Sequence, residues 1–313
     1  MAKEVRFDRM VPSQMVARRN ACNLAYLPVG TLEWHGPHMP FGTDYITVTH
    51  VAEEAAKRFG GVVFAPIYYG DVRYILQECR EEWRMSAQKD LVVPDEFVTA
   101  FPLKKNYVYP TQPDDGPPPI EPLEFSEQGQ ELLFAKHIAM VMLEIHLYGF
   151  KHIILLPGHG PNAGFCAHAE EMYAENVLRR SAFGAPARTL TWHMASVDRE
   201  YEPLLKNHWI HADKSEASIT AAAQPGTVHP ECLPQDRKQL VPGYLGDPYL
   251  NETNGYNPAY EHIWFSFDAL DPRNGISAQY GQRIIDGVLG NLEKSIAGLM
   301  RNAENIQPQT VEA

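Results

Sequence analysis

The chain has 313 residues, of which 44% are hydrophobic and 21% are charged, as is usual for a globular protein. That length allows one large α/β domain or two small ones, with a sizeable core. The formal net charge of −12 argues against nucleic acid and anionic membrane surfaces as the main partner.

The cysteines and the N-terminus indicate a cytoplasmic protein. The sequence contains four cysteines and no C-x-x-C pair, a pattern typical of a reducing compartment rather than of a disulfide scaffold. Residues 1–6 are not followed by the apolar run of a signal peptide, and no stretch approaches the length of a transmembrane helix. We therefore expect a cytoplasmic location and no membrane partner.

The first third of the chain predicts a strand, a helix and a second strand. An apolar run over residues 23–29 predicts a buried strand. Thr43 is the predicted N-cap of a helix over residues 44–59, which Gly60 ends. Residues 62–66 then predict a second buried strand.

Residues 70–125 are the least regular part of the chain. Their proline-rich tract, residues 110–122, cannot pack as a helix or as a central strand. A flexible linker and an ordered flap both remain open, and the neighbouring aromatic residues favour an ordered flap or a subunit contact. Because the α/β pattern resumes directly afterwards, we expect a single domain over residues 1–313 with this enlarged segment inside it.

The remaining elements alternate between helices and strands, which predicts an α/β fold. Asn162 is the predicted N-cap of a helix that follows the third strand. We interpret His137, His146 and His152 as ordinary surface or core histidines. The sequence predicts helices over residues 126–148, 162–183, 211–223 and up to 300, and strands over residues 152–156 and 188–192.

The loop after the first strand carries candidate metal ligands. Residues 27–44 read LPVGTLEWHGPHMPFGTD, and their glycines and prolines indicate a shaped loop. Glu33 and His35 are two residues apart, so both side chains project from one face of an extended chain. With Asp44 they form a carboxylate–imidazole set that suits zinc, manganese or ferrous iron. Such a trio in a loop more often only faces solvent, so this loop alone does not decide the function.

Two later clusters also lie at the ends of predicted elements. His159 stands in PGHGPN, where the third strand gives way to a helix, and therefore at the same sheet edge as Glu33 and His35. His211 and Glu216 lie in HADKSEAS, which opens another helix. A carboxylate at a helix start also serves to offset the helix dipole, which is the simpler interpretation of Glu216.

Together these segments resemble the motifs of the creatininase (creatinine amidohydrolase) family. The second motif, NGHGGN or NGHxEN in the family, is matched in part, because Pro157 and Pro161 replace an Asn and a Gly or Glu. In the third motif, HAGxxETS, His211 and Glu216 match and Asp213 replaces the Gly. The segments that carry the resemblance are residues 33–38, 42–44, 157–162, 211–218 and 271–281.

The resemblance implies a three-layer αβα sandwich around a mostly parallel sheet, with two divalent metal ions (zinc, manganese or iron) as cofactors. Carried over to this sequence, Glu33, Asp44 and His159 hold one ion. His35 and Asp44 hold the other, so that Asp44 bridges the two. Because the second motif lacks its Glu, we predict that Glu216 completes the second site.

The resemblance also implies hydrolysis by a metal-activated water. A pair of ions lowers the pKa of a bridging water, which then attacks a carbonyl carbon. His211 and Glu216 are the predicted catalytic residues, with His211 as the proton carrier. His38 is expected to orient a carboxylate ligand. The candidate pocket walls are Trp34, Trp83 and Trp209.

The favoured prediction is a hydrolase that opens a C–N bond in a small cyclic amide or formamide. One alternative is a ring-cleaving hydrolase of an oxidised cyclitol or sugar, and another is a metal-binding protein without catalytic activity. Residues 70–125 lack the S-x-x-H and F-P-G-T pieces of the family, so creatininase activity itself is not expected. No G-x-S-x-G, H-E-x-x-H or Walker motif supports a rival chemistry. The resemblance further implies a closed homo-oligomer, a hexamer.

Overall fold

Among the described residues, a parallel sheet of four strands lies at the centre of the structure. The computed structural model describes residues 4–33, 35–69, 127–193, 211–233, 235 and 270–301. Val29 at the end of one central strand pairs with Pro157 at the end of the other. The strands are β1 (Ala25–Val29), β2 (Val62–Val63), β3 (His152–Pro157) and β4 (Arg188–Thr191), in the order β2-β1-β3-β4.

Helices cover both faces of this sheet. Their bounds are α1 (Pro12–Ala21), α2 (Thr43–Phe59), α3 (Glu127–Leu147), α4 (Asn162–Leu178), α5 (Lys214–Ala223) and α6 (Ala278–Arg301). Short 3₁₀ helices span Phe7–Arg9, Ser181–Phe183 and Pro230–Cys232. Within the described ranges, no helix combines the length and the apolar character that a bilayer span requires.

The central strands are buried on both sides, which is why they appear in the sequence as continuous apolar runs. Leu27 and Leu155 point into a core shared with α3 and α4. Tyr26 and Ile154 point the opposite way, into a core shared with α2, α5 and α6. The architecture is therefore a three-layer αβα sandwich around a parallel sheet, and the predicted fold class is confirmed.

Close contact between α5 and α6 depends on a glycine in the last family-like segment. A Cβ atom built on Gly281 of α6 would overlap the main-chain oxygen of Ser218 in α5. The same contact places the Ser277 N–H 3.1 Å from the Ser218 hydroxyl, to which it donates a hydrogen bond. The segment that closes the sequence motif thus fixes the helix that carries Glu216.

Two predicted N-caps are wrong. Thr43 and Asn162 are instead the first residues of α2 and α4. Both side chains bond to the main chain of neighbouring loops, Thr43 Oγ1 to the Pro40 oxygen at 2.8 Å and Asn162 Nδ2 to the Gly30 oxygen at 2.9 Å. These contacts tie the two helix starts to the loop that follows β1.

Some predicted boundaries also need correction. The strand predicted over residues 62–66 pairs regularly with β1 only at Val62–Val63, after which a single bridge joins Ile67 to Val29. The helix predicted to reach residue 183 ends at Leu178, and a separate 3₁₀ turn follows. The proline-rich segment 70–125, predicted as a flap or subunit contact, lies outside the described residues.

The three histidines that we interpreted as ordinary residues have structural surroundings. His146 contacts the Phe183 oxygen through Nε2 and the Tyr173 hydroxyl through Nδ1, each at 2.9 Å. His152 Nδ1 lies 2.9 Å from the Asn23 oxygen, and His137 is exposed. These positions agree with the structural interpretation.

Candidate metal centre

The candidate site lies at the carboxyl edge of the sheet. Because Val29 and Pro157 are partners in register, the loops after β1 and β3 leave the sheet side by side. The Gly158 N–H donates to the Val29 oxygen at 2.7 Å. A Cβ atom on Gly158 would overlap the main-chain oxygen of Asp44. A glycine is therefore needed where the β3 loop meets the start of α2.

The loop after β1 is closed on itself, which fixes its two ligand candidates. The Glu33 N–H donates to the Phe41 oxygen at 2.9 Å, and the loop then enters α2, whose first turn contains Asp44. Glu33, His35 and Asp44 are all buried. The loop therefore presents these side chains to the interior rather than to solvent.

Glu216 reaches the same point from α5. Its N–H donates to the Asp213 side chain at 2.8 Å, so Asp213 is the N-cap of this helix. Glu216 Oε2 accepts a hydrogen bond from the Ala212 N–H at 2.6 Å. Ala212 has φ 54°, in the left-handed region that is unfavourable for a residue with a Cβ atom. With Oε2 held in this way, Oε1 is left to face the centre.

Two trios of ligand atoms meet at Asp44. In the first trio, His159 Nδ1 lies 3.0 Å from Glu33 Oε2 and 3.5 Å from Asp44 Oδ2. In the second trio, His35 Nε2 lies 3.3 Å from Asp44 Oδ1 and 3.6 Å from Glu216 Oε1. Within each trio the ligand atoms are all within 4.8 Å of one another. The two oxygens of Asp44 therefore belong to different trios.

His211 joins this cluster as a neighbour of His35. The centres of the two imidazole rings are 4.2 Å apart, and Glu33, His35 and His211 form a third group of possible ligands within 4.8 Å. The structure thus brings together all six residues that the sequence nominated for metal binding or catalysis.

Opposed charges dominate the electrostatics of the two trios. Burial works against a charge on His35, but the carboxylates of Asp44 and Glu216 outweigh it and hold the pKa of His35 well above its usual value. Burial is likewise outweighed at His159, whose pKa the carboxylates of Asp44 and Glu33 raise to about 10. The pKa of Asp44 is lowered, because the two imidazoles outweigh its own burial.

The donor atoms fit a divalent cation. Glu33 Oε2, His35 Nε2 and Asp44 Oδ2 are buried and have no hydrogen-bond partner among the described residues. Buried polar atoms are rarely left in that state. Two ligand atoms bound about 2.1 Å from a tetrahedral zinc are about 3.4 Å apart. The four nitrogen–oxygen separations given above are close to that value. A cation in each trio would therefore coordinate buried atoms that form ion-pair contacts but no hydrogen bond among the described residues.

His38 is fully buried beside the second trio. Burial and the nearby His35 lower its pKa to about 3, so the ring is neutral near pH 7. Its assigned part in orienting a carboxylate stays a prediction. The three tryptophans proposed as pocket walls lie outside the described residues.

Sequence reasoning gave no role to His193. It is the second residue after β4, so a third strand end contributes a histidine at the same edge of the sheet. Burial and the neighbouring His159 lower its pKa. Its position just beyond the end of a predicted parallel strand is the sequence signal that could have identified this residue.

Comparison with known proteins places the chain in a family. The sequence matches the family model for creatininase, described as creatinine amidohydrolase, over residues 9–78 and 129–296. It is 26% identical over 316 residues to the 3-dehydro-scyllo-inosose hydrolase of Thermotoga maritima, covering 95% of this chain and 84% of that protein.

Solved structures of creatininase share the fold. A manganese form is 16% identical with a TM-score of 0.59, covering 94% of this chain and 97% of that one. A Zn–Zn form of a variant is 17% identical with a TM-score of 0.59, covering 94% of this chain and 98% of that one. Since the family model matches most of its length, the chain belongs to the creatininase family and is a hydrolase.

Proposed function

We propose that the two trios hold two divalent cations and that the protein uses them to hydrolyse a small carbonyl compound. The observation that carries this proposal is the pair of trios that share Asp44, with buried ligand atoms that lack hydrogen-bond partners among the described residues. Glu33, Asp44 and His159 would hold one cation, and His35, Asp44 and Glu216 the other. When bound, such ions supply a water nucleophile at neutral pH and polarise a carbonyl group.

The side chains of the chain itself would fix the site and move the proton. Asp44 offers one oxygen to each trio from the rigid first turn of α2. Glu216 is aimed by its bond to the Ala212 N–H. His211 lies beside His35, with ring centres 4.2 Å apart, and we assign it the proton transfer. A neutral imidazole there can accept that proton and return it to the leaving group.

Our first candidate substrate is an oxidised cyclitol in which one ring carbon separates two carbonyl groups. The support is the relative that covers 95% of this chain, whose name specifies a hydrolase of 3-dehydro-scyllo-inosose. In such a reaction the oxygen of water adds to one carbonyl carbon, and the ring C–C bond beside it breaks. One product end becomes a carboxylate. The second carbonyl stabilises the departing carbanion as an enolate, which takes up the proton from His211.

The second candidate is the amide hydrolysis predicted from the motifs. It is favoured by the family model, whose description is creatinine amidohydrolase. In that reaction the same addition to a carbonyl breaks a C–N bond and releases an amine, ammonia or formate. Pro161 stands against this candidate, because a creatininase-like second motif has Glu at this position and proline offers no side-chain ligand.

A paired assay separates the two candidates. Protein loaded with manganese or zinc is analysed for bound metal by mass spectrometry and then assayed with oxidised inositols, creatinine and formamides. We expect two metal equivalents per chain and release of acid from the oxidised cyclitol. Release of ammonia, amine or formate would transfer the proposal to C–N hydrolysis. A chain that binds no metal would overturn both.

A further inference from the structure

Helix α3 carries a line of exposed apolar side chains on its outer surface. Leu133, Met140 and Leu147 are 53%, 65% and 60% exposed. They follow one another at intervals of seven residues, which is nearly two helical turns, so they lie along one side of the helix. The opposite side of α3 is fully packed against the sheet and α4, through Phe134, Ile138, Met142 and Ile145.

Single exposed apolar residues need no explanation, but an aligned row of them marks an interaction surface. The row is flanked by charges. Lys136 precedes Met140 by four residues and Glu144 follows it by four, and both are exposed. Neither side chain forms an ion pair within the part of the chain that the structure describes. The surface therefore combines an apolar line with two opposite charges placed symmetrically about Met140.

We propose that this surface binds the α3 helix of a second copy of the chain, antiparallel, with a two-fold axis level with Met140. In that arrangement a residue a given number of positions before Met140 lies at the same height as the partner residue that number of positions after Met140. Leu133 then meets the partner's Leu147, and Lys136 comes level with the partner's Glu144. Apolar side chains then lie opposite apolar side chains, and each charged side chain lies level with one of opposite charge. The two-fold axis repeats each contact, as a self-complementary interface requires.

The charges select this arrangement over the parallel one. In a parallel pair, each copy of Lys136 would be level with the other copy of Lys136, and each Glu144 with the other Glu144. Like charges at one level repel, whereas the antiparallel pair has two attractive contacts across the apolar line. The occupant that the surface fits is therefore a second copy in antiparallel register.

Exchange of the charges tests the proposal. The full-length, metal-loaded protein and the variants Lys136→Glu, Glu144→Lys and the double exchange are compared by light scattering after size-exclusion chromatography. We expect each single exchange to halve the native mass, because it creates like-charged pairs across the axis. The double exchange should restore the original mass. Met140→Glu, which puts two carboxylates on the axis, should also halve it.

Helix α6 offers matched controls, since it packs on the other face of the sheet and exposes both Glu293 and Lys294. Lys294→Glu and Glu293→Lys change the net charge by the same amounts and should leave the mass unchanged. A monomeric wild type would overturn the proposal, and so would single exchanges that keep the native mass. Single exchanges that dissociate the protein without rescue by the double exchange would overturn the antiparallel register.

Discussion

His159 is the only imidazole in the first trio, and it lies 3.0 Å from Glu33 and 3.5 Å from Asp44. We expect His159→Ala to remove at least one metal equivalent and to lower turnover by more than about a hundredfold, since even residues that only support metal ligands have effects of that size. Elemental analysis and a turnover assay check this, and circular dichroism should show a folded protein.

An exposed histidine on α4 provides the control for that variant. His168→Ala makes the same chemical change a short distance along the chain, outside the trios. It should keep both metal content and turnover. Unchanged metal content in His159→Ala would remove His159 from the ligand set.

His211 should behave differently, because its assigned role is proton transfer. Its ring is 4.2 Å from that of His35, yet Glu33, Asp44, His159, His35 and Glu216 supply both trios without it. We expect His211→Ala to keep its metal and to lose about 10²- to 10⁴-fold in kcat, the usual contribution of a general acid–base. Wild-type turnover would refute the proton-carrier role. Loss of metal would instead make His211 a ligand.

The ligand candidates were predictable from sequence, because they stand directly after strands or at helix starts. The carboxyl ends of parallel strands lie at one edge of the sheet, so the sequence predicts that Glu33, His35 and His159 lie close together. The orientation of the Glu216 side chain was not predictable from sequence. It depends on the left-handed backbone conformation of Ala212, whose N–H donates to one carboxylate oxygen. No sequence pattern predicts that conformation for a residue other than glycine.

At the scale of elements, the site depends on the close approach of the β3 loop to the start of α2. We expect Gly158→Ala to force these elements apart, because its Cβ atom would overlap the Asp44 main chain. The variant should lose metal and unfold at lower temperature. Gly160→Ala is the control, since a Cβ atom there meets no atom within 4 Å. Equal metal content in both variants would contradict the argument.

Arg18 joins the opposite end of α2 to the chain that enters β2. Its buried guanidinium donates from Nε to the Gly61 oxygen at 2.9 Å and from Nη2 to the Ala56 oxygen at 3.0 Å. We expect Arg18→Met to lower the free energy of unfolding by about 1–3 kcal/mol, because the Gly61 oxygen loses the guanidinium donor and the Ala56 oxygen keeps only the Gly60 N–H. Urea titration measures this. Arg9→Met, at an exposed position, should have little effect, and metal content should stay intact in both.

Element types were easier to predict than element ends. The apolar runs identified β1 and β3, which are buried on both faces. The ends depend on contacts between distant residues. Asn162 caps no helix because its amide bonds to Gly30, and β2 is short because regular pairing with β1 stops at Val63. Local pattern carries no information about such partners.

At the scale of the whole molecule, metal binding by the two trios would be linked to folding, because the candidate ligands come from the β1 loop, α2, the β3 loop and α5. In the metal-free protein, His35 and His159 offset the buried carboxylates only while they are protonated. Their pKa values lie above the usual 6.5, that of His159 at about 10. Their stabilising contribution is therefore complete below pH 6.5 and declines at higher pH, that of His159 as the pH rises through about 10.

We accordingly expect the free energy of unfolding of chelator-treated protein to fall across that pH range. Saturating manganese should remove most of the fall, because ligation requires the neutral imidazole. Urea titrations at several pH values, with and without manganese, measure both effects. A metal-free stability that rises with pH would contradict the assigned ion pairs.

The shared carboxylate of Asp44 also sets the charge of the loaded site. Glu33, Asp44 and Glu216 bring three negative charges to the two trios, while a pair of dications brings four positive ones. The filled cleft would be cationic inside a chain whose net charge is −12. Small anions such as fluoride or phosphate should therefore compete with the substrate. The same positive charge would stabilise an enolate that forms during turnover.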